Sequence, residues 1–87
     1  MKQINVLIVE DSIFWADLNV RELKKAGFAV QHQMVSNKRT MEKALKEQQW
    51  DVILCDNNMQ SFDALQALDL RNALACRTAF VIVSEDI

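Results

Sequence analysis

The sequence predicts an α/β fold: one parallel sheet with helices on both faces. Three observations predict it. Short apolar runs rich in β-branched residues, such as Val6-Leu7-Ile8-Val9 and Ala79-Phe80-Val81-Ile82-Val83, read as strands buried on both sides. Between them lie longer segments whose apolar positions recur at helical spacing. The buried runs end in polar clusters, Glu10-Asp11, Asp56-Asn57-Asn58 and Ser84-Glu85, so polar residues collect at one end of each.

Ile4 to Val9 is the first strand. Ser12 stands where a helix N-cap belongs, and the helix runs from about Ile13 to Ala26, with Phe14, Trp15, Leu18 and Leu23 among its apolar positions. Gly27, the single glycine, takes the position after the helix where a left-handed residue is wanted. Phe28 to Val35 alternates more: Phe28, Val30, His32 and Met34 share one face, Gln31 and Gln33 the other, as in an edge strand. Asn37 caps a second helix, Lys38 to Gln49, with Met41, Ala44, Leu45 and Gln48 on one side. Asp51 to Cys55 is a further buried strand, a third helix runs from about Phe62 to Ala75, and Thr78 to Val83 is the fourth strand. The order is βαβαβαβ, and strands separated by helices imply parallel pairing through right-handed crossovers.

Length and composition set the bounds. The 87 residues suffice for one domain, residues 1–87, of marginal stability. The hydrophobic fraction of 51 % provides a core, and the net charge of -2 offers no footprint for nucleic acid or an anionic membrane. Neither apolar run approaches the ~20 residues of a membrane span. The N-terminus lacks the features of a signal peptide, so a cytoplasmic location is expected. Cys55 and Cys76 have no neighbouring Cys or His and read as reduced packing residues. His32 reads as an edge-strand residue, Trp15 and Trp50 as packing, Phe62 as a staple for the loop before the third helix, and Lys38, Arg39, Lys43 and Lys46 as a solvated helix face.

In a parallel sheet the carboxyl ends of the strands lie along one edge, where ligands bind. Glu10, Asp11 and Asp56 thus meet there, and each pair repels by about 1–4 kcal/mol at ~4 Å. A hard divalent cation relieves that repulsion, and Mg2+ needs only one or two carboxylates besides a carbonyl and waters. One carboxylate beside such an ion can act as nucleophile toward a phosphoryl group, and a hydroxyl such as that of Ser84 can donate to a phosphoryl oxygen.

Three segments carry a family resemblance. Val-Leu-Ile-Val-Glu10-Asp11-Ser12 resembles the first strand and acidic pair of response-regulator receiver domains. The stretch from Asp51 to Ala64, centred on Asp56-Asn57-Asn58-Met59, is similar to the family's phosphoacceptor segment, and Ala79 to Ser84 to its fourth strand. The resemblance implies a flavodoxin-like sheet of order 2-1-3-4. It implies phosphorylation of Asp56 by a sensor histidine kinase or phosphotransfer protein, with Mg2+ held by Asp11, by Glu10 mostly through water, by Asp56 and by the main-chain carbonyl of Asn58. It makes Ser84 the switch hydroxyl. Gln60 and Ala64 depart from the family's usual proline and glycine in the loop after the phosphoacceptor.

A complete receiver continues through a further helix, strand and helix, with a lysine ending the fifth strand. The present sequence ends at Ile87, and none of Lys2, Lys24 or Lys25 is placed to substitute. The expectation is a partial receiver whose fourth strand is a bare edge, open to self-association. Two other functions compete with the phosphoacceptor module. One is a degenerate receiver that acts by dimerising or binding a partner without phosphorylation. The other is a small Mg2+-dependent phosphohydrolase, disfavoured because Asn58 stands where such enzymes carry a general-acid aspartate, and an amide cannot fill that role.

Overall fold

A computed structural model describes residues 2–57, 59, 62–75 and 77–83. These form β1 (Lys2–Val9), α1 (Ile13–Lys25), β2 (Phe28–Val35), α2 (Lys38–Glu47), β3 (Val52–Asp56), α3 (Ala64–Leu74) and β4 (Ala79–Val83). The strands make a parallel sheet of order β2-β1-β3-β4. The expected class, element order and strand order all hold. This is the flavodoxin-like arrangement, in which the direction of winding reverses between β1 and β3.

Alternation of side chains along β1 divides the core in two. Val6 and Ile8 join Ala16 and Val20 of α1 on one face. Leu7 and Val9 join Met41, Ala44 and Leu45 of α2, Ile53 and Cys55 of β3, and Ala67 and Leu70 of α3 on the other. The apolar run of β1 is therefore buried from both sides. Val52 and Leu54 of β3 point toward the α1 cluster but are only partly covered, because a single helix does not span that face.

Several boundaries differ from expectation, each for a local reason. β1 begins at Lys2, since Lys2 and Gln3 already pair with Phe28 and Ala29 of the edge strand. α2 stops at Glu47 because Gln48 turns extended (φ -159°), which brings Trp50 inward to donate its indole N–H to the Ala44 carbonyl at 3.0 Å. β3 begins at Val52, and Asp51 instead accepts the Asn5 N–H at 2.7 Å. α3 starts at Ala64: Asp63 accepts from the Gln66 N–H at 2.9 Å, and the Gln66 side chain accepts the Asp63 N–H at 3.1 Å, closing a capping box. Phe62 precedes the cap and is buried in the same cluster as Ala67, four positions beyond the cap, the stapling role expected of it, although the helix itself was expected to begin at about Phe62. Thr78 lies in the turn before β4, its hydroxyl donating to the Trp50 carbonyl at 3.2 Å.

Two expected caps are found where the sequence put them. Asn37 accepts the Thr40 N–H at 2.9 Å in a capping box, and Gly27 takes φ +100°. Ser12 does occupy the N-cap of α1, but its hydroxyl makes no capping bond.

Candidate functional site

The polar ends of the strands converge as the topology requires. β1 and β3 are adjacent, with Val9 opposite Cys55, so Glu10 follows β1 beside Asp56, the last residue of β3. Oxygen atoms of Glu10, Asp11 and Asp56 all lie within 4.8 Å of one another. Glu10 is 2 % exposed and Asp56 5 %, while Asp11 is exposed. Three acids at that spacing, two of them withdrawn from water, are electrostatically costly without a compensating positive charge.

The backbone holds these acids in place. The Glu10 N–H donates to the Val35 carbonyl at 2.9 Å, tying the end of β1 to the end of β2. The Glu10 carboxylate accepts the N–H groups of both Asp11 and Ser12 at 3.0 Å. It thereby turns the chain from strand into helix, the task expected of the Ser12 hydroxyl. On the other side, the Asn57 N–H donates to the Val83 carbonyl at 3.0 Å, joining the residue after β3 to the end of β4. Met59 and Phe62 are buried in the core below and anchor that loop. Asn58 and Ser84, named from the sequence as carbonyl ligand and switch hydroxyl, lie outside the described residues.

Cys55, adjacent to Asp56, registers the concentration of negative charge. Burial pushes its thiol up to about 12, and the charges of Asp56 and Glu10 add to the effect. The sequence reading treated Cys55 as packing alone. Its position next to Asp56, in the acidic cluster, was the signal that its ionisation would be affected.

The donor set suits a hard cation. Two oxygens bound to one Mg2+ at ~2.1 Å are at most ~4.2 Å apart, so a cluster within 4.8 Å accommodates direct ligation by some members and ligation through water by another. All three donors are carboxylates, the class that Mg2+ prefers.

Comparison with known proteins gives a consistent result. The family model for the response regulator receiver domain matches residues 6–86. Among solved structures, the chain is similar to the signal receiver domain of a modulated diguanylate cyclase from Desulfovibrio desulfuricans G20. That likeness has a TM-score of 0.75 and 20 % identity, over 95 % of this chain and 66 % of the other. A yeast Spc42 trimeric coiled-coil segment fused to another structure matches with a TM-score of 0.74 and 26 % identity, over 92 % of this chain and 53 % of that one. The chain thus spans about two-thirds and about half the length of these two structures. No curated protein matches it significantly.

Proposed function

The chain belongs to the response regulator receiver family, and from that premise we propose that it accepts a phosphoryl group on Asp56 and passes on the resulting change as a signal. The observation that carries this reading is the convergence of Glu10, Asp11 and Asp56 at the switch point of the sheet.

In the proposed reaction a carboxylate oxygen of Asp56 attacks the phosphorus of a phosphohistidine on a sensor kinase or phosphotransfer protein. The new O–P bond forms as the N–P bond breaks, and the bonding pair leaves with the imidazole. Mg2+, held by Asp11, Asp56, the Asn58 main-chain carbonyl and, through water, Glu10, would offset negative charge on the phosphoryl oxygens. Glu10 keeps its side chain oriented by accepting two backbone N–H groups. Ser84, which follows Val83 in the chain, is the proposed donor to a phosphoryl oxygen, coupling the modification to the end of β4. On this reading the chain is a cytoplasmic signalling module rather than an enzyme that turns over a separate substrate. Among the described residues no helix is long and apolar enough to cross a membrane.

A second reading draws on β4. Val81 and Ile82 are 45 % and 52 % exposed on opposite faces of an edge strand, which favours self-association there. In that reading the domain acts as an interaction module and the acidic site carries no chemistry.

Intact-mass spectrometry after incubation with acetyl phosphate separates the two. The first reading expects a Mg2+-dependent gain of one phosphoryl group that Asp56→Asn abolishes. No gain in a chain shown by circular dichroism to be folded would overturn it in favour of the second.

A further inference from the structure

One side chain of the acidic cluster has a second task. Glu10 is 2 % exposed, and an oxygen of its carboxylate lies within 4.8 Å of oxygens of Asp11 and Asp56. Through Oε1 the same carboxylate accepts the N–H groups of Asp11 and Ser12, both at 3.0 Å. Those two residues lead directly into α1.

The three helices differ in how they begin. α2 and α3 close their own capping boxes, Asn37 with Thr40 and Asp63 with Gln66. α1 has no such device: the Ser12 hydroxyl makes no capping bond, and the first turn contains no acidic residue. A carboxylate beside a helix N-terminus is favourable, and α1 receives it from Glu10, outside the helix. The first bond of the helix, from the Ala16 N–H to the Ser12 carbonyl at 3.1 Å, therefore starts from a residue that Glu10 holds.

The two tasks are physically linked. The main chain of Glu10 is fixed by its N–H bond to the Val35 carbonyl at 2.9 Å. Its carboxylate therefore yields to the repulsion of Asp11 and Asp56 by rotating, and rotation takes Oε1 off the two N–H groups. A positive charge among the three acids removes that push.

We propose that Glu10 is a positioning residue that couples occupancy of the acidic site to the start of α1. With a divalent cation among the acids, Glu10 stays on the Asp11 and Ser12 N–H groups and the entry to α1 is ordered. Without it, the carboxylate leaves them part of the time and that entry loosens. Linkage makes the coupling reciprocal, so the two N–H groups also preset Glu10 for the cation. The turn that follows carries Ile13 and Phe14, 70 % and 67 % exposed, so the state of a buried site is displayed at the surface. The inference rests on the reading of the cluster as a cation site, and not on phosphorylation of Asp56.

Amide exchange with water, read residue by residue by NMR on the whole chain, tests it, with Mg2+ binding measured separately by calorimetry. Mg2+ should slow exchange of the Asp11 and Ser12 amides about fivefold or more. NaCl at equal ionic strength should not reproduce the effect, and amides at the start of the self-capped α2 should not respond. Glu10→Gln keeps an oxygen for the two N–H groups but sheds the charge. Both amides should then be protected before Mg2+ is added and gain little from it. Glu10→Ala should leave them fast in either condition, and Ser12→Ala should behave as the parent does. Mg2+ binding by the parent with no change at Asp11 and Ser12 overturns the coupling and leaves the cation site standing. Absence of binding overturns both. A response in Glu10→Ala equal to the parent's, or one that NaCl reproduces, also overturns the coupling.

Discussion

β1 and β4 are made of the same kinds of side chain and end in opposite surroundings. Val6, Leu7, Ile8 and Val9 are fully covered, whereas Val81 and Ile82 stand about half exposed. Intrinsic strand preference does not separate them, since both runs are dominated by β-branched and large apolar residues. Their neighbours do. β1 lies between β2 and β3 and under helices on both faces, while β4 pairs with β3 alone among the described strands. The acid pair Glu10-Asp11 follows the most deeply buried strand, so the site's position is fixed by the most completely covered part of the sheet. The opposite edge, joined to the site through the Asn57–Val83 hydrogen bond, has far less holding it.

The largest test of this contrast is a pair of truncations. Leu7→Ala removes a fully buried side chain from the larger core cluster and should cost about 2–5 kcal/mol. Against a total stability of about 5 kcal/mol or little more for so small a domain, that variant should be largely unfolded. Val81→Ala should change stability by less than about 0.5 kcal/mol, the range of an ordinary surface substitution. Urea denaturation followed by circular dichroism measures both. Equal losses would mean that β4 is covered in solution, as by self-association.

A second test compares two positions that sit side by side in the sheet. Cys55 of β3 pairs with Ile82 of β4, yet one is fully buried and the other is exposed. Burial, reinforced by Asp56 and Glu10, raises the Cys55 thiol from 9.0 to about 12. A pKa higher in the folded than in the unfolded state stabilises fully below the unfolded value and is lost as pH rises through the folded one. Stability should accordingly decline between about pH 9 and pH 12 by the part that Cys55 contributes, and Cys55→Ala should flatten that decline. Mapped alkylation at pH 8.5 should leave Cys55 unmodified in the folded chain, while the engineered thiol of Ile82→Cys reacts readily. Comparable labelling of the two would show that the core around Asp56 opens to solvent.

Much of this was legible in the sequence, for definable reasons. Parallel order followed from strands alternating with helices, and the convergence of Glu10, Asp11 and Asp56 followed from parallel order alone. Local chemistry was harder to read. Asp63 and Gln66 form a capping box as clear as that of Asn37 and Thr40, but the helix was started two residues early, at about Phe62, although the stapling role read for that side chain is the one it takes. Ser12 was given the capping role because residue type favours it. The bonds instead go to Glu10, whose longer side chain folds back onto the two N–H groups that follow it. The outer face of α1 was missed for a similar reason: Phe14 and Leu18 were counted toward one apolar pattern, and only the placement of Ala16 and Val20 shows that they point away from it.

The smallest expected effect is the most pointed test of the edge. Ile82→Lys places a charge on a residue already 52 % exposed. A lysine there can keep its stem on the sheet and its ammonium in water, so stability should stay within about 0.5 kcal/mol of the parent. What should change is association: a charged edge residue discourages strand-to-strand pairing, so light scattering on heating should fall while the unfolding midpoint in urea holds. If β4 is instead an established interface, the same substitution buries a charge between copies and should weaken assembly in proportion to concentration. An unchanged midpoint with reduced aggregation would identify β4 as an edge that the fold tolerates. A concentration-dependent loss of stability would make it the functional surface of the molecule and place β4, not β1, at the centre of what the chain does.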